Sequence, residues 1–121
     1  MKILNIVILF FCVLSINAQT VIKTESGEWK ATYYGNHYKK PRLMANGEVF
    51  NVKAMTCAAP KKFAFGTKLK ITNLANNKSV IVTVTDRGGF GNHVIDLTYY
   101  AFKRISEHKH GRIKVKVQII K

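Results

Sequence analysis

The chain has 121 residues, of which twenty are Lys or Arg and six are Asp or Glu, for a formal charge of +14. That length holds one compact domain and excludes two sizeable ones. So strong a positive balance points to an anionic or polyhydroxylated partner, and with only Cys12 and Cys57 present a disulfide-stapled scaffold is excluded.

The first residues read as a targeting segment. Lys2 precedes an almost unbroken apolar stretch from Ile3 to Ile16, followed by Asn17-Ala18, which is the layout of a secretory signal. The sequence predicts a signal peptide over 1–18, cleavage after Ala18, no retained integral membrane span, and export to the periplasm or cell envelope. Cys12 follows Phe10-Phe11 inside the apolar core, so it lacks the small residues that a lipid attachment site would need. The remainder, 19–121, is predicted to be one monomeric domain. It carries nineteen basic and six acidic residues, a formal +13, and Cys57 as its one thiol.

After a polar lead from Thr20 to Gly27, aromatic and β-branched residues cluster at Trp29-Lys30-Ala31-Thr32-Tyr33-Tyr34, a first strand closed by Gly35-Asn36. Asn46-Gly47 predicts a tight turn, with Glu48 on its shoulder and a return to extended chain at Val49-Phe50. From Lys68 to Thr85 two alternating runs flank Ala75-Asn76-Asn77-Lys78, which is a hairpin pattern. Asp86-Arg87-Gly88-Gly89-Phe90-Gly91 is a glycine-rich loop at a strand end. A short strand over His93–Leu97 leads to Thr98, placed as the N-cap of a helix over Tyr99–Ile105. The run from Arg112 to Ile119 alternates polar with β-branched residues and predicts a closing strand with one buried face. Many short strands in a chain without disulfides favour a closed barrel, because closure removes exposed edges.

Five segments, in this order, resemble the RlpA-like (rare lipoprotein A) family. They are Ala31–Gly35, Met44–Asn51, Phe65–Leu74, Ser79–Gly88 and Val94–Thr98. The resemblance implies a mainly β fold, a six-stranded double-psi β-barrel with one or two short helices, and a groove for peptidoglycan glycan strands. It further implies a lytic transglycosylase that cleaves between N-acetylmuramic acid and N-acetylglucosamine to give 1,6-anhydro products, with no metal or other cofactor. Two departures stand out. The family commonly has a histidine where this chain has Ala58-Ala59-Pro60, and Gly89 replaces a usual proline. The alternative function is a non-catalytic, expansin-like wall-binding module.

Glycosidic cleavage needs an acid to protonate the leaving oxygen and an anionic group to steady the oxocarbenium-like centre. The resemblance places the active carboxylates at Asp86 and Glu48, with Asp96 matching the acid of more distant barrel relatives; the order of preference is Asp86, Glu48, Asp96. The plainer reading has both aspartates capping backbone amides and Glu48 solvated. Glu25, Glu28 and Glu107 are expected on the surface. Tyr34, Arg87 and Asn46 are the candidate substrate-binding residues, Tyr34 as an exposed ring and Arg87 with a competing role as internal partner of a carboxylate. Trp29 and Tyr33 are expected in the core, Cys57 as a small buried hydrophobe, and His108 and His110 at a solvated helix end rather than a metal site. Nucleic acid is not the expected partner, since the export signal argues against it.

Overall fold

The computed structural model describes residues 19–88 and 91–121. The expected signal segment and Gly89 therefore lie outside the described residues. Seven strands form one sheet: β1 (Val21–Thr24), β2 (Trp29–Tyr34), β3 (Thr56–Ala58), β4 (Lys68–Asn73), β5 (Ser79–Asp86), β6 (Val94–Thr98) and β7 (Ile113–Ile120). A short helix, α1 (Tyr99–Lys103), and a 3-10 turn at His108–His110 lie between β6 and β7. The sheet order is β1-β7-β2-β6-β3-β5-β4, and an additional β7–β4 pairing closes the last six strands into a barrel. β2 and β1 lie end to end along one edge of β7, while β4 takes the other edge.

Alternation explains why these segments form strands. Val80, Val82 and Val84 of β5, Leu69 and Ile71 of β4, and Val115 and Val117 of β7 point inward, with lysines on the opposite face of β4 and β7. Their side chains meet Trp29, Phe63, Phe102, Ile95 and Leu97 in one core. Each fully buried side chain of this size contributes about 1.5–3 kcal/mol. β6 differs because all five of its residues are buried. It runs parallel to β2 and antiparallel to β3, so it is an interior strand.

The hairpin, the strand before Thr98 and the closing strand fall where the pattern placed them. Thr98 caps α1 by accepting a hydrogen bond from the Ala101 amide at 3.3 Å, and its own hydroxyl donates to the Ala54 carbonyl at 2.7 Å. The helix is shorter than expected, and Val49-Phe50 makes only an isolated bridge, Leu43 with Val49. Two strands had no sequence signal, β1 and β3. Glu25 corrects its surface assignment: it is 6% exposed and binds Lys62 at 2.6 Å, with Lys23 at 3.7 Å.

Candidate active site

Strand register assembles the site. Ala58 of β3 is paired with Asp96 of β6 on one side and Asp86 of β5 on the other, and Asp96 is paired in turn with Thr32 of β2. Thr32, Asp96, Ala58 and Asp86 thus form a row across four neighbouring strands. Residues level in paired strands project from the same face, so the two carboxyls share a face with only a methyl group between them. At a strand spacing of about 4.8 Å, their backbones lie about 10 Å apart. The β3–β5 register shifts at this point: Cys57 pairs with Val84 and Ala58 with Asp86, so Thr85 is the extra residue on β5.

The two aspartates have different surroundings. Asp96 is buried, and its Oδ1 accepts a hydrogen bond from the Thr32 hydroxyl at 2.8 Å. Burial pushes its pKa above the ordinary carboxylate value and the charge of Asp86 adds to the rise, while the Thr32 hydrogen bond opposes it. Asp86 is half-buried at the end of β5. Its Oδ2 accepts from the Tyr34 hydroxyl at 3.0 Å, and its Oδ1 accepts from the backbone amides of Ala45 and Arg87, each at 2.9 Å. Desolvation, with the charge and hydrogen bond of Asp86, pushes the Tyr34 hydroxyl well above the usual tyrosine range, so it remains a donor. Cys57 is fully buried, and desolvation first, then Asp96, pushes its thiol up. A thiol so held stays protonated, which leaves it the packing role read from the sequence.

Glu48 sits on the turn next to this row. The Asn46 side chain donates to Glu48 Oε1 at 2.8 Å and accepts from the Glu48 amide at 2.9 Å, while Gly47 takes the positive φ of 92° that the Asn-Gly pair predicted. The turn is docked by Asn46 N–H to the Thr85 carbonyl and by Ala45 N–H to Asp86, so Glu48 stands exposed on a turn fastened to the end of β5. Tyr34 is a correction: its ring is half-buried against Phe50, 5.1 Å between centroids, and its hydroxyl is spent on Asp86 rather than standing free. Gly35 makes that packing possible, since a Cβ there would fall 2.2 Å from the tip of the Phe50 ring.

Arg87 is a second correction. Its guanidinium donates to the carbonyls of Phe63, 3.0 Å, and Ala59, 3.4 Å, and covers the Phe65 ring at 4.0 Å, so it braces the 59–65 segment rather than a carboxylate. That segment includes Pro60, at the end of the Ala58-Ala59-Pro60 stretch where the family resemblance implies a histidine. Trp29 and Tyr33 pack as expected, Tyr33 against Phe102 and Tyr99. His108 stacks on Tyr99 with centroids 3.6 Å apart and donates from Nε2 to the Tyr99 carbonyl at 2.7 Å. Sequence reasoning missed Thr32 and Ala58. The period of β2 puts Thr32 on the same face as Tyr34, but only pairing with β6 brings it to Asp96.

The closed six-stranded barrel, with β2 parallel to β6 and β3 parallel to β5, is a double-psi β-barrel. Two solved structures share the fold. The Streptomyces papain inhibitor superposes with TM-score 0.66 at 16% identity, covering 84% of this chain and 97% of its own. An apo expansin from Clavibacter michiganensis superposes with TM-score 0.63 at 20% identity, covering 78% of this chain and 50% of its own. The family described as lytic transglycolase matches residues 26–117. The chain belongs to that family. It is 44% identical over 91 residues to a probable endolytic peptidoglycan transglycosylase RlpA of Synechocystis sp., covering 74% of this chain and 28% of the relative. It is 39% identical over 98 residues to an endolytic peptidoglycan transglycosylase RlpA of Vibrio cholerae, covering 80% and 36% respectively. An uncharacterized protein of Synechocystis sp. is 42% identical over 87 residues, covering 72% of this chain and 91% of its own. The matches thus span well under half the length of these two named transglycosylases.

Proposed function

We propose that this protein is an exported lytic transglycosylase that cuts peptidoglycan glycan strands between N-acetylmuramic acid and N-acetylglucosamine, with Asp96 as the acid. The carrying observation is the shared row: a buried carboxyl with raised proton affinity beside a second, hydrogen-bonded carboxyl, separated by one alanine. The names of the relatives, endolytic peptidoglycan transglycosylases, support the substrate class.

Asp96 would give its proton to the glycosidic oxygen as the bond to the anomeric carbon breaks. Asp86, held by Tyr34 and two amides, would face the oxocarbenium-like centre with its negative charge. The substrate's own 6-hydroxyl then attacks the anomeric carbon and returns its proton to Asp96, so the 1,6-anhydro ring forms without water. Glu48, on the docked turn, is placed to meet sugar hydroxyls at the rim, with Asn46 fixing it. The sequence favoured Asp86 as the acid; burial favours the exchange of roles. Incubation with peptide-stripped peptidoglycan should release 1,6-anhydro products by mass spectrometry, and undiminished release by Asp96→Asn would reject the assignment.

A second reading keeps the barrel as a binding module without cleavage. Ala58-Ala59-Pro60, where the resemblance implies a histidine, favours it, and a mutant expansin of the same fold was solved with cellohexaose. It predicts sedimentation with insoluble peptidoglycan, no soluble products, and weaker sedimentation after Tyr34→Ala.

A further inference from the structure

We infer that the groove at the opposite end of the barrel is a second glycan site, one that binds an acidic polysaccharide strand through carboxylates carried along it. The inference rests on the proposed peptidoglycan reading for the identity of the strand. The groove, of about 960 Å³, lies between the β4–β5 turn, the segment after α1 and the start of β7. Its volume lies at the upper end of the range of small-molecule pockets. Ser79 and Asp86 bound β5, and seven rises of about 3.3 Å put the two ends of that strand about 23 Å apart. A sugar held between the aspartates therefore does not fill this groove.

Charge identifies the ligand class. Lys78, Lys103, Arg112 and Lys114 line the groove, against one carboxylate, Glu107. Among the described residues Lys114 pairs with Glu28 at 3.4 Å and Glu107 with Lys109 at 3.8 Å, whereas Lys78, Lys103 and Arg112 form no ion pair. Three cations left for solvent in one concavity attract an anion. The walls are also pre-formed: the side-chain amides of Asn73 and Asn76 both donate to the Ile105 carbonyl, at 2.8 and 3.1 Å, and the Leu74 amide donates to the Lys114 carbonyl at 3.1 Å. A ligand meets a surface that needs little ordering.

The lining favours a sugar chain over a nucleic acid. Leu74, Ile105 and Ile113 offer aliphatic surface suited to the C–H faces of pyranose rings, and among the described residues no Phe, Tyr or Trp lines the groove. Single-stranded nucleic acids are held by backbone charge together with stacking on such aromatic rings, and the described lining meets only the first of these needs. A glycan strand freed of its peptides carries a lactyl carboxylate on every muramyl unit, which supplies anions at sugar spacing. A neutral strand of the same backbone offers the cations nothing.

The test is titration of the purified, isotope-labelled protein with peptide-free muramyl oligosaccharide, a chito-oligosaccharide of equal length, and single-stranded DNA, followed by amide NMR. The muramyl oligomer should shift the amides of Lys78, Lys103 and Arg112 more than either of the others. The double variant Lys103→Glu/Arg112→Glu should weaken that binding about tenfold, with its thermal midpoint unchanged. Equal binding of the neutral oligomer, tighter binding of DNA, or an unaltered affinity in the double variant would overturn the inference. The two proposals fail separately. Groove shifts that persist in a protein without cleavage leave this inference standing and remove the enzymatic one, whereas cleavage without groove shifts does the reverse.

Discussion

At the end of the barrel where β3 separates β5 from β6, the two aspartates are withdrawn from water, Asp96 almost wholly and Asp86 in part, while Glu48 stands exposed beside them. Asp96 is 6% exposed, and Asp86 is ringed by three donors. At the opposite end, Lys78, Lys103, Arg112 and Lys114 stand in solvent around an open groove. The first arrangement alters what a group does, because desolvation changes its affinity for a proton. The second acts through the number of like charges gathered in one place. One fold thus separates a place suited to chemistry from a place suited to holding.

The comparison breaks most sharply at Asp96. Replacement by Asn should lower cleavage about 10²- to 10⁴-fold, the contribution of a general acid. An undiminished rate would show that burial there serves packing alone. The wild-type rate should fall as pH rises through the elevated pKa of Asp96, since the proton is lost there. The same elevation has a sign for stability. A group whose folded pKa is raised favours the folded state most fully below its unfolded pKa, and that favour is lost as pH rises through the folded value. Asp96→Asn, which has no charge to bury and can still accept from Thr32, should therefore melt above the wild type at neutral pH. Its advantage should shrink on acidification, and a constant difference in thermal midpoint across pH would contradict this.

Next in size is Gly35→Ala. The new methyl meets Phe50 at a backbone φ of 89°, so unfolding free energy should drop by about 2–4 kcal/mol from overpacking and left-handed strain together. Denaturant titration reads it directly. Tyr34→Phe keeps the ring against Phe50 and removes only the donor to Asp86, so cleavage should fall about tenfold, the worth of one hydrogen bond to a charged group. At the solvent end the expectation is smallest: Lys103→Glu/Arg112→Glu should change stability by about 0.5 kcal/mol or less. A larger loss would mean that the groove's cations hold the fold together.

The same contrast governs what could be read from the sequence. The β4–β5 hairpin, β7 and the Thr98 cap were legible because alternation and capping are local. β3 was not, since Thr56-Cys57-Ala58 is too short to carry a period and is a strand only because β5 and β6 flank it. β1 passed for a polar lead because all four of its residues are exposed. Glu25 looked solvated because Lys62, its closer partner, lies 37 residues away. The five motif segments led to Asp86 and Glu48, yet Asp96 ranked third, because the burial that raises its proton affinity is created by neighbouring strands. Tyr34 was given an exposed ring, since the period of a strand tells which face a side chain takes and not what already occupies it.

β7 pairs with β1, β2 and β4, and its pairing with β4 closes the row from β2 to β4 into a ring. A ribosome makes every residue of the aspartate row before it makes residues 113–120. Until that segment arrives the chain is an open sheet with two bare edges, and the contacts it completes are among the most distant in sequence, which slows folding. Closure of the barrel therefore waits on β7, and the strands that carry the aspartate row are synthesised before the strand that locks their sheet into a ring.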